Sequence, residues 1–165
     1  MDCCKKNENN KLKKDFSCPL CGNTGVVIKL ITPQMSLKEI SKDRIKTDSI
    51  YKFCKNSNCQ IAYFTTDSSH YFTITELKEK ATLKDLDLSV KVCYCFNITR
   101  QNILSELQTT GKTELLEEVK SKMKEPGCFC EKSNPQGECC LSNISSWIKN
   151  AKELALTKTL NDNQE

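Results

Sequence analysis

The chain has 165 residues, 12 of them cysteine, and a formal net charge of +4 from 25 basic and 21 acidic side chains. That charge is small and its lysines and glutamates are interspersed, which excludes the basic footprint of a nucleic-acid binder. No run approaches the roughly 18 uninterrupted apolar residues of a membrane helix, so membrane insertion is not expected.

Residues 1–16 are polar and lysine-rich, with too little apolar content to pack, and read as a flexible tail. Its start, Met1-Asp2-Cys3-Cys4-Lys5-Lys6, has no apolar run after the lysines and does not suit a secretory leader. A cytoplasmic location is expected, where paired thiols more often bind metal or carry redox chemistry than form disulfides. Adjacent Cys3 and Cys4 suit a soft ion such as Cu+, the bland alternative being two spare thiols.

From Cys18 the texture changes. Val26-Val27-Ile28-Lys29-Leu30-Ile31 is β-branched and follows Gly22 and Gly25, as a strand leaving a turn would. Residues 33–48 are charged and read as a loop with a short helical turn. Ile50-Tyr51-Lys52-Phe53 and Ile61-Ala62-Tyr63-Phe64 predict two strands joined by an Asn- and Ser-rich loop, and Tyr71-Phe72-Thr73-Ile74 a further strand. Two cysteine pairs sit in this half, Cys18-Pro-Leu-Cys21 and Cys54-Lys-Asn-Ser-Asn-Cys59. A two-residue spacer lets both sulfurs of one turn face one ion, and four thiolates complete tetrahedral Zn2+. Pro19 stiffens the first turn, and Gly22 can adopt the left-handed conformation that turns backbone N–H groups toward the sulfurs. A zinc with all four positions filled by protein serves folding rather than catalysis. Two local disulfides are the competing reading, and iron fits the same donors.

Residues 79–91 are polar and alternating and read as a connector. The remainder, 92–160, is expected to be helical. Thr99 can cap a helix with Ile103, Leu104 and Leu107 on one face and Gly111 at its end. Thr113 can cap a second, with Leu115, Leu116, Val119 and Met123 apolar, stopped by Pro126-Gly127 and forming a helical hairpin with the first. A third is expected over 141–159, with Ile144, Trp147, Ile148, Ala151 and Leu154 as its buried stripe. The fold class is therefore α+β, a small zinc-bound antiparallel β subdomain over 17–78 followed by a helical subdomain.

The helical half carries Cys93-Tyr94-Cys95, Cys128-Phe129-Cys130 and Cys139-Cys140. These are enough thiols for a 2Fe-2S cluster, which needs four thiolates. Cys93 and Cys95 can both chelate one iron at the start of the first helix, whose unpaired N–H groups favour an anionic core. The second iron then draws on Cys128, Cys130, Cys139 and Cys140. The only histidine, His70, reads as a loop residue before a strand. No paired carboxylates, nucleophile with base or phosphate-cradling Gly loop stands out, so one-electron reduction of a metal ion is the nearest thing to enzyme activity expected.

The segments Val92-Cys-Tyr-Cys-Phe96, Gly127-Cys-Phe-Cys-Glu131 and Asn134-Pro-Gln-Gly-Glu-Cys-Cys-Leu141, with Cys18-Pro-Leu-Cys-Gly22 and Phe53-Cys54 to Cys59 upstream, resemble the N-terminal domain of the CopZ-type copper chaperones, iron-sulfur cluster-binding metallochaperones. The helical half is similar in plan to bacterioferritin-associated ferredoxins. The resemblance covers roughly residues 1–148 and implies one mononuclear zinc site and one 2Fe-2S cluster. The implied cluster ligands are Cys93, Cys95, Cys130 and Cys140, with Cys128 and Cys139 as runners-up; Pro135 and Gly137 bend the chain between the last two ligands. That family often continues into a copper domain with a Met-x-Cys-x-x-Cys loop, and no cysteine follows Cys140 here.

Three functions follow as expectations. The first is a redox-active protein handling or reducing copper or another soft metal ion, with a copper-transporting ATPase or a redox protein as partner. The second is a ferredoxin-like carrier delivering electrons to a protein such as a ferritin, and the third a zinc-only interaction module.

Overall fold

The computed structural model describes residues 17–162, with side chains described as far as Thr157. The tail reading, Cys3 and Cys4 included, lies outside the described residues.

Four short strands, β1 (Val26–Ile28), β2 (Tyr51–Phe53), β3 (Ile61–Thr65) and β4 (Tyr71–Thr73), form one antiparallel sheet in chain order. Val26 faces Phe53, Phe53 faces Tyr63 and Phe64 faces Tyr71 across the ladders. Every residue of β3 is buried, so it forms the middle of this half's core with Ile28, Leu37, Tyr51, Phe53 and Phe72 around it. Gly25 enters the sheet at φ +61°, where a Cβ would stand 2.7 Å from the Phe53 carbonyl oxygen, so the close approach needs glycine.

The apolar run 26–31 is strand only as far as Ile28. The Thr32 N–H closes on the Lys29 carbonyl at 2.9 Å, and Ile31 opens a helix, α1 (Ile31–Ser36), whose first turn tolerates Pro33. A second short helix, α2 (Glu39–Lys42), follows, so the expected loop holds two helical pieces rather than one. Ile74, read as the end of a strand, instead begins a 3₁₀ turn (Ile74–Glu76) in which Thr73 and Glu76 form a capping box.

The second half contains a hairpin that the sequence did not signal, β5 (Lys91–Cys93) and β6 (Ile98–Thr99). Thr99 then caps α3 (Arg100–Thr110), accepting from the Asn102 N–H at 3.2 Å, and Gly111 ends it at φ +75°. The next helix, α4 (Leu115–Lys122), is preceded by Glu114 rather than Thr113, although the Thr113 hydroxyl accepts from the Leu115 N–H at 3.3 Å. After the short α5 (Cys130–Ser133), the long α6 (Leu141–Asp162) closes the fold. Helices α3 and α4 both pack on α6 and share its apolar cluster, so the expected hairpin is a pair of neighbours on a common third helix. Ile144 and Ala151 are buried on α6, whereas Leu154 is 47% exposed and lies beyond the core that the stripe covers.

Residues 79–91 are more than a tether. Ala81, Thr82 and Val90 are buried, and the guanidinium of buried Arg100 donates to the carbonyls of Thr82 at 2.6 Å, Asp87 at 3.1 Å and Asp85. Arg100 also lies 5.4 Å from the Trp147 ring, and the indole N–H donates to the Arg100 carbonyl at 2.9 Å. Arg100→Ala strips the guanidinium donors from these carbonyls, and chemical denaturation should show a loss of about 3 kcal/mol.

Candidate metal centres

The first centre is assembled by the turn at Cys18–Cys21 and the loop between β2 and β3. Within the turn, the Gly22 N–H donates to the Cys18 carbonyl at 2.9 Å and Gly22 takes φ +73°, as its place after Cys21 suggested. Cys54 is fixed at the end of β2 by its N–H donating to the Ala62 carbonyl at 2.9 Å, and the Asn-rich loop turns back so that the Cys59 N–H reaches the Asn56 carbonyl at 3.1 Å.

The sulfurs of Cys18, Cys21, Cys54 and Cys59 all lie within 4.8 Å of one another. Cys18 and Cys59 are 3.8 Å apart, and Cys21 and Cys54 3.6 Å. Sulfurs on a tetrahedral zinc, each about 2.3 Å from the ion, stand about 3.8 Å apart, so the spacing fits Zn2+. Disulfide sulfurs sit at about 2 Å, and all four are free thiols.

Burial raises the Cys18 and Cys54 thiols above their usual range, while at Cys21 desolvation is outweighed by hydrogen bonds from the Asn23 backbone and from the Cys54 and Asn56 side chains, which together lower it to about 7. Thiolates packed this closely need a compensating cation, which a divalent ion supplies. Lys84 contributes one charge of its own. Its ammonium donates to the carbonyls of Asn56 at 2.6 Å and Cys59 at 3.2 Å, lies 5.6 Å from the Phe53 ring and favours ionised Cys54. Lys84 comes from the connector and had no spacing signal that could reveal it.

The second set is arranged differently. The β5–β6 hairpin carries Cys93 and Cys95, α5 begins with Cys130, and Cys140 immediately precedes α6. The Cys140 thiol donates to the Cys93 sulfur at 3.3 Å, and the Cys95 and Cys130 sulfurs are 3.6 Å apart. The short sulfur pairs thus run between chain segments, whereas the sequence paired Cys93 with Cys95. Cys93, Cys130 and Cys140 are buried and Cys95 is half-buried; Cys128 and Cys139 are exposed.

The neighbouring Cys140 thiol lowers Cys130 to about 5 and Cys93 to about 7, and contact with those two sulfurs raises Cys140 in turn. The Cys95 sulfur also lies 3.1 Å from the Ser133 hydroxyl and 3.3 Å from the Phe129 N–H, which donates to it. Ser133 is a site residue that sequence reasoning missed; its place one turn after Phe129 on a four-residue helix gave no periodicity to read. His70 lies in the turn before β4, as its sequence position suggested, with its ring edge-on to Phe72 at 4.9 Å between centroids.

Residues 15–78 match the CopZ family model described as a zinc binding domain. The copper chaperone CopZ of Archaeoglobus fulgidus is 30% identical over 123 residues, which cover 74% of this chain and 57% of the chaperone. The X-ray structure of the Archaeoglobus fulgidus CopZ N-terminal domain superposes with a TM-score of 0.66 at 27% identity, over 79% of this chain and 95% of that domain. Over these stretches the chain is similar to the CopZ N-terminal domain in sequence and fold. It spans a little over half the length of the full chaperone, and most of the crystallised CopZ N-terminal domain. The zinc-binding match ends at the 3₁₀ turn after β4 and so contains all of the first thiol set and none of the second.

Metal analysis of protein purified under reducing conditions should find about one zinc per chain. Cys59→Ser should lower zinc affinity by at least about tenfold in a chelator competition, because one of four strong donors is lost. Since thiols must shed protons to bind the ion, affinity should also fall as pH falls.

Proposed function

We propose that this chain is a redox-active, soft-metal-handling protein of the CopZ type, with a structural Zn2+ on Cys18, Cys21, Cys54 and Cys59 and a 2Fe-2S cluster on Cys93, Cys95, Cys130 and Cys140. The observation that carries the reading is the contrast between the two thiol sets. The first is one group of four mutually close sulfurs, suited to a single ion. The second is an open row in which Cys140 approaches both Cys93 and Cys130, and Cys130 approaches Cys95, a spread suited to two irons that each take two thiolates rather than to one ion.

The remaining residues support that division. Cys93 and Cys140 are buried in the apolar cluster with Val92, Ile103, Val119 and Ile144, which keeps water from their sulfurs. Phe129 directs its N–H at the Cys95 sulfur, the kind of donor that tunes an iron-sulfur site, and the Ser133 hydroxyl lies against the same sulfur. A 2Fe-2S cluster held there supplies single electrons, the stoichiometry by which cupric ion becomes cuprous. Copper is cargo in this reading, and exposed Cys128 and Cys139 offer soft donors beside the cluster ligands. The copper assignment leans on the similarity to the Archaeoglobus chaperone. Free thiols in this number suit the reducing cytoplasm, the compartment that belongs to this reading.

Anaerobic preparation should give a reddish-brown protein with two irons per chain and, after reduction, a paramagnetic signal. Serine at Cys93, Cys95, Cys130 or Cys140 should abolish or displace that signal, whereas serine at Cys128 or Cys139 should leave it in place. A colourless protein with full zinc occupancy would leave the zinc-only module standing. For the copper reading, the loaded protein should withdraw cuprous ion from a weak chelator; failure to do so would favour the ferredoxin-like carrier.

A further inference from the structure

Residues 131–139, the end of α5 and the loop after it, join two of the proposed cluster ligands, Cys130 and Cys140, and are fastened mainly to the zinc half, with one longer bond to α6 from the Asn143 amide to the Gln136 side-chain oxygen at 3.4 Å. The Tyr63 hydroxyl, buried in β3, donates to the Pro135 carbonyl at 2.5 Å. The Thr32 hydroxyl of α1 donates to the Glu131 carbonyl at 2.7 Å, and the Leu83 N–H of the connector donates to the Gln136 side-chain oxygen at 3.1 Å. Gly137, at φ +68°, sits so close to the sheet that a Cβ would stand 2.8 Å from Ile28 Cγ2 and 3.0 Å from the Thr32 hydroxyl. Lys29 pairs with Glu131 at 2.5 Å and Lys55 with Glu138 at 3.2 Å.

These contacts differ in weight. The two ion pairs are partly exposed and contribute little. The buried tyrosine bond and the glycine seat decide the position, because an unpaired buried carbonyl and a steric clash are both costly. Asn134 and Gln136 are buried in the same joint, and the Asn134 carboxamide both accepts from the Gln136 N–H at 3.0 Å and donates to the Glu138 carbonyl at 2.8 Å, which keeps the loop in one shape.

The surface that receives the loop adjoins the first thiol set. Tyr63 lies in the strand that follows Cys59, and Lys55 directly follows Cys54. Cys93 and Cys95 stand on the separate β5–β6 hairpin. We propose that Tyr63, Thr32 and Gly137 are positioning residues for the second centre, through which zinc loading of the sheet sets where the Cys130 and Cys140 sulfurs stand relative to those of Cys93 and Cys95. This inference rests on the cluster reading and assigns a purpose to the joint between the halves.

The test uses the full chain, loaded anaerobically with zinc and iron, and follows three quantities: zinc content, the paramagnetic spectrum of the reduced protein, and the rate of iron release to a chelator. Tyr63→Phe keeps every cysteine and removes only the hydroxyl. It should retain its zinc, shift the spectrum and speed iron release about fivefold, the factor carried by one net hydrogen bond. Gly137→Ala should act in the same direction, and selective removal of zinc from the wild type should reproduce both effects. Should Gly137→Ala fail to fold, Tyr63→Phe and zinc removal still decide. An unchanged spectrum and release rate in Tyr63→Phe and in zinc-depleted wild type would overturn this inference while leaving the cluster reading intact. A wild type that takes up no iron would overturn both.

Discussion

Convergence of sulfur atoms from distant stretches of chain is the constraint on which this fold depends. Each half has only a modest apolar core, one around Tyr51, Phe53, Tyr63 and Phe72 and one around Ile103, Val119, Ile144 and Ala151. Small cores seldom outweigh the conformational entropy of ordering their chains, and metal ligation is a common supplement. Here the first thiol set extends a small apolar cluster, with Cys18, Cys54 and Cys59 packed against Ile61 and Phe64, so candidate ligands and core residues are partly the same residues. Their sulfur spacing is therefore both a packing statement and a coordination statement.

Much of this was legible in the sequence because the signals were local. The Cys18-Pro-Leu-Cys21 turn with Gly22 behind it encodes its own geometry, and Thr99 with Gly111 marked both ends of a helix that the structure places there. What escaped was set by a competing turn nearby or by partners far along the chain. Ile31 belongs to a strand-like run yet turns into helix because the Lys29 carbonyl and Pro33 close a turn first. Leu154 continues the α6 stripe by periodicity, but among the described residues nothing packs over it deeply enough to bury it. The pairing of Cys93 with Cys140 and of Cys95 with Cys130 had no local signature, since a Cys-x-Cys motif does not say whether its two sulfurs face one atom or two.

The connector shows the same limit from another side. Its polarity and alternation suggested a passive link, but Arg100 gathers its carbonyls and Lys84 reaches the β2–β3 loop, so one stretch touches both halves. A buried arginine that binds backbone carbonyls holds any side-chain sequence in place, which leaves no pattern in the segment it holds. Charged side chains outside the two thiol sets thus do much of the joining, and composition alone counts them as surface.

The uneven depth of the second thiol set has a directional consequence. Cys93 and Cys140 are sealed beneath apolar side chains, whereas Cys95 is half-open and neighbours Phe129, which is 51% exposed. Electron tunnelling weakens steeply with the thickness of matter crossed, so in the proposed reading current would enter and leave by the shallow flank at Cys95. A donor protein and a metal acceptor would then compete for one doorway, and the molecule would serve them in turn rather than together.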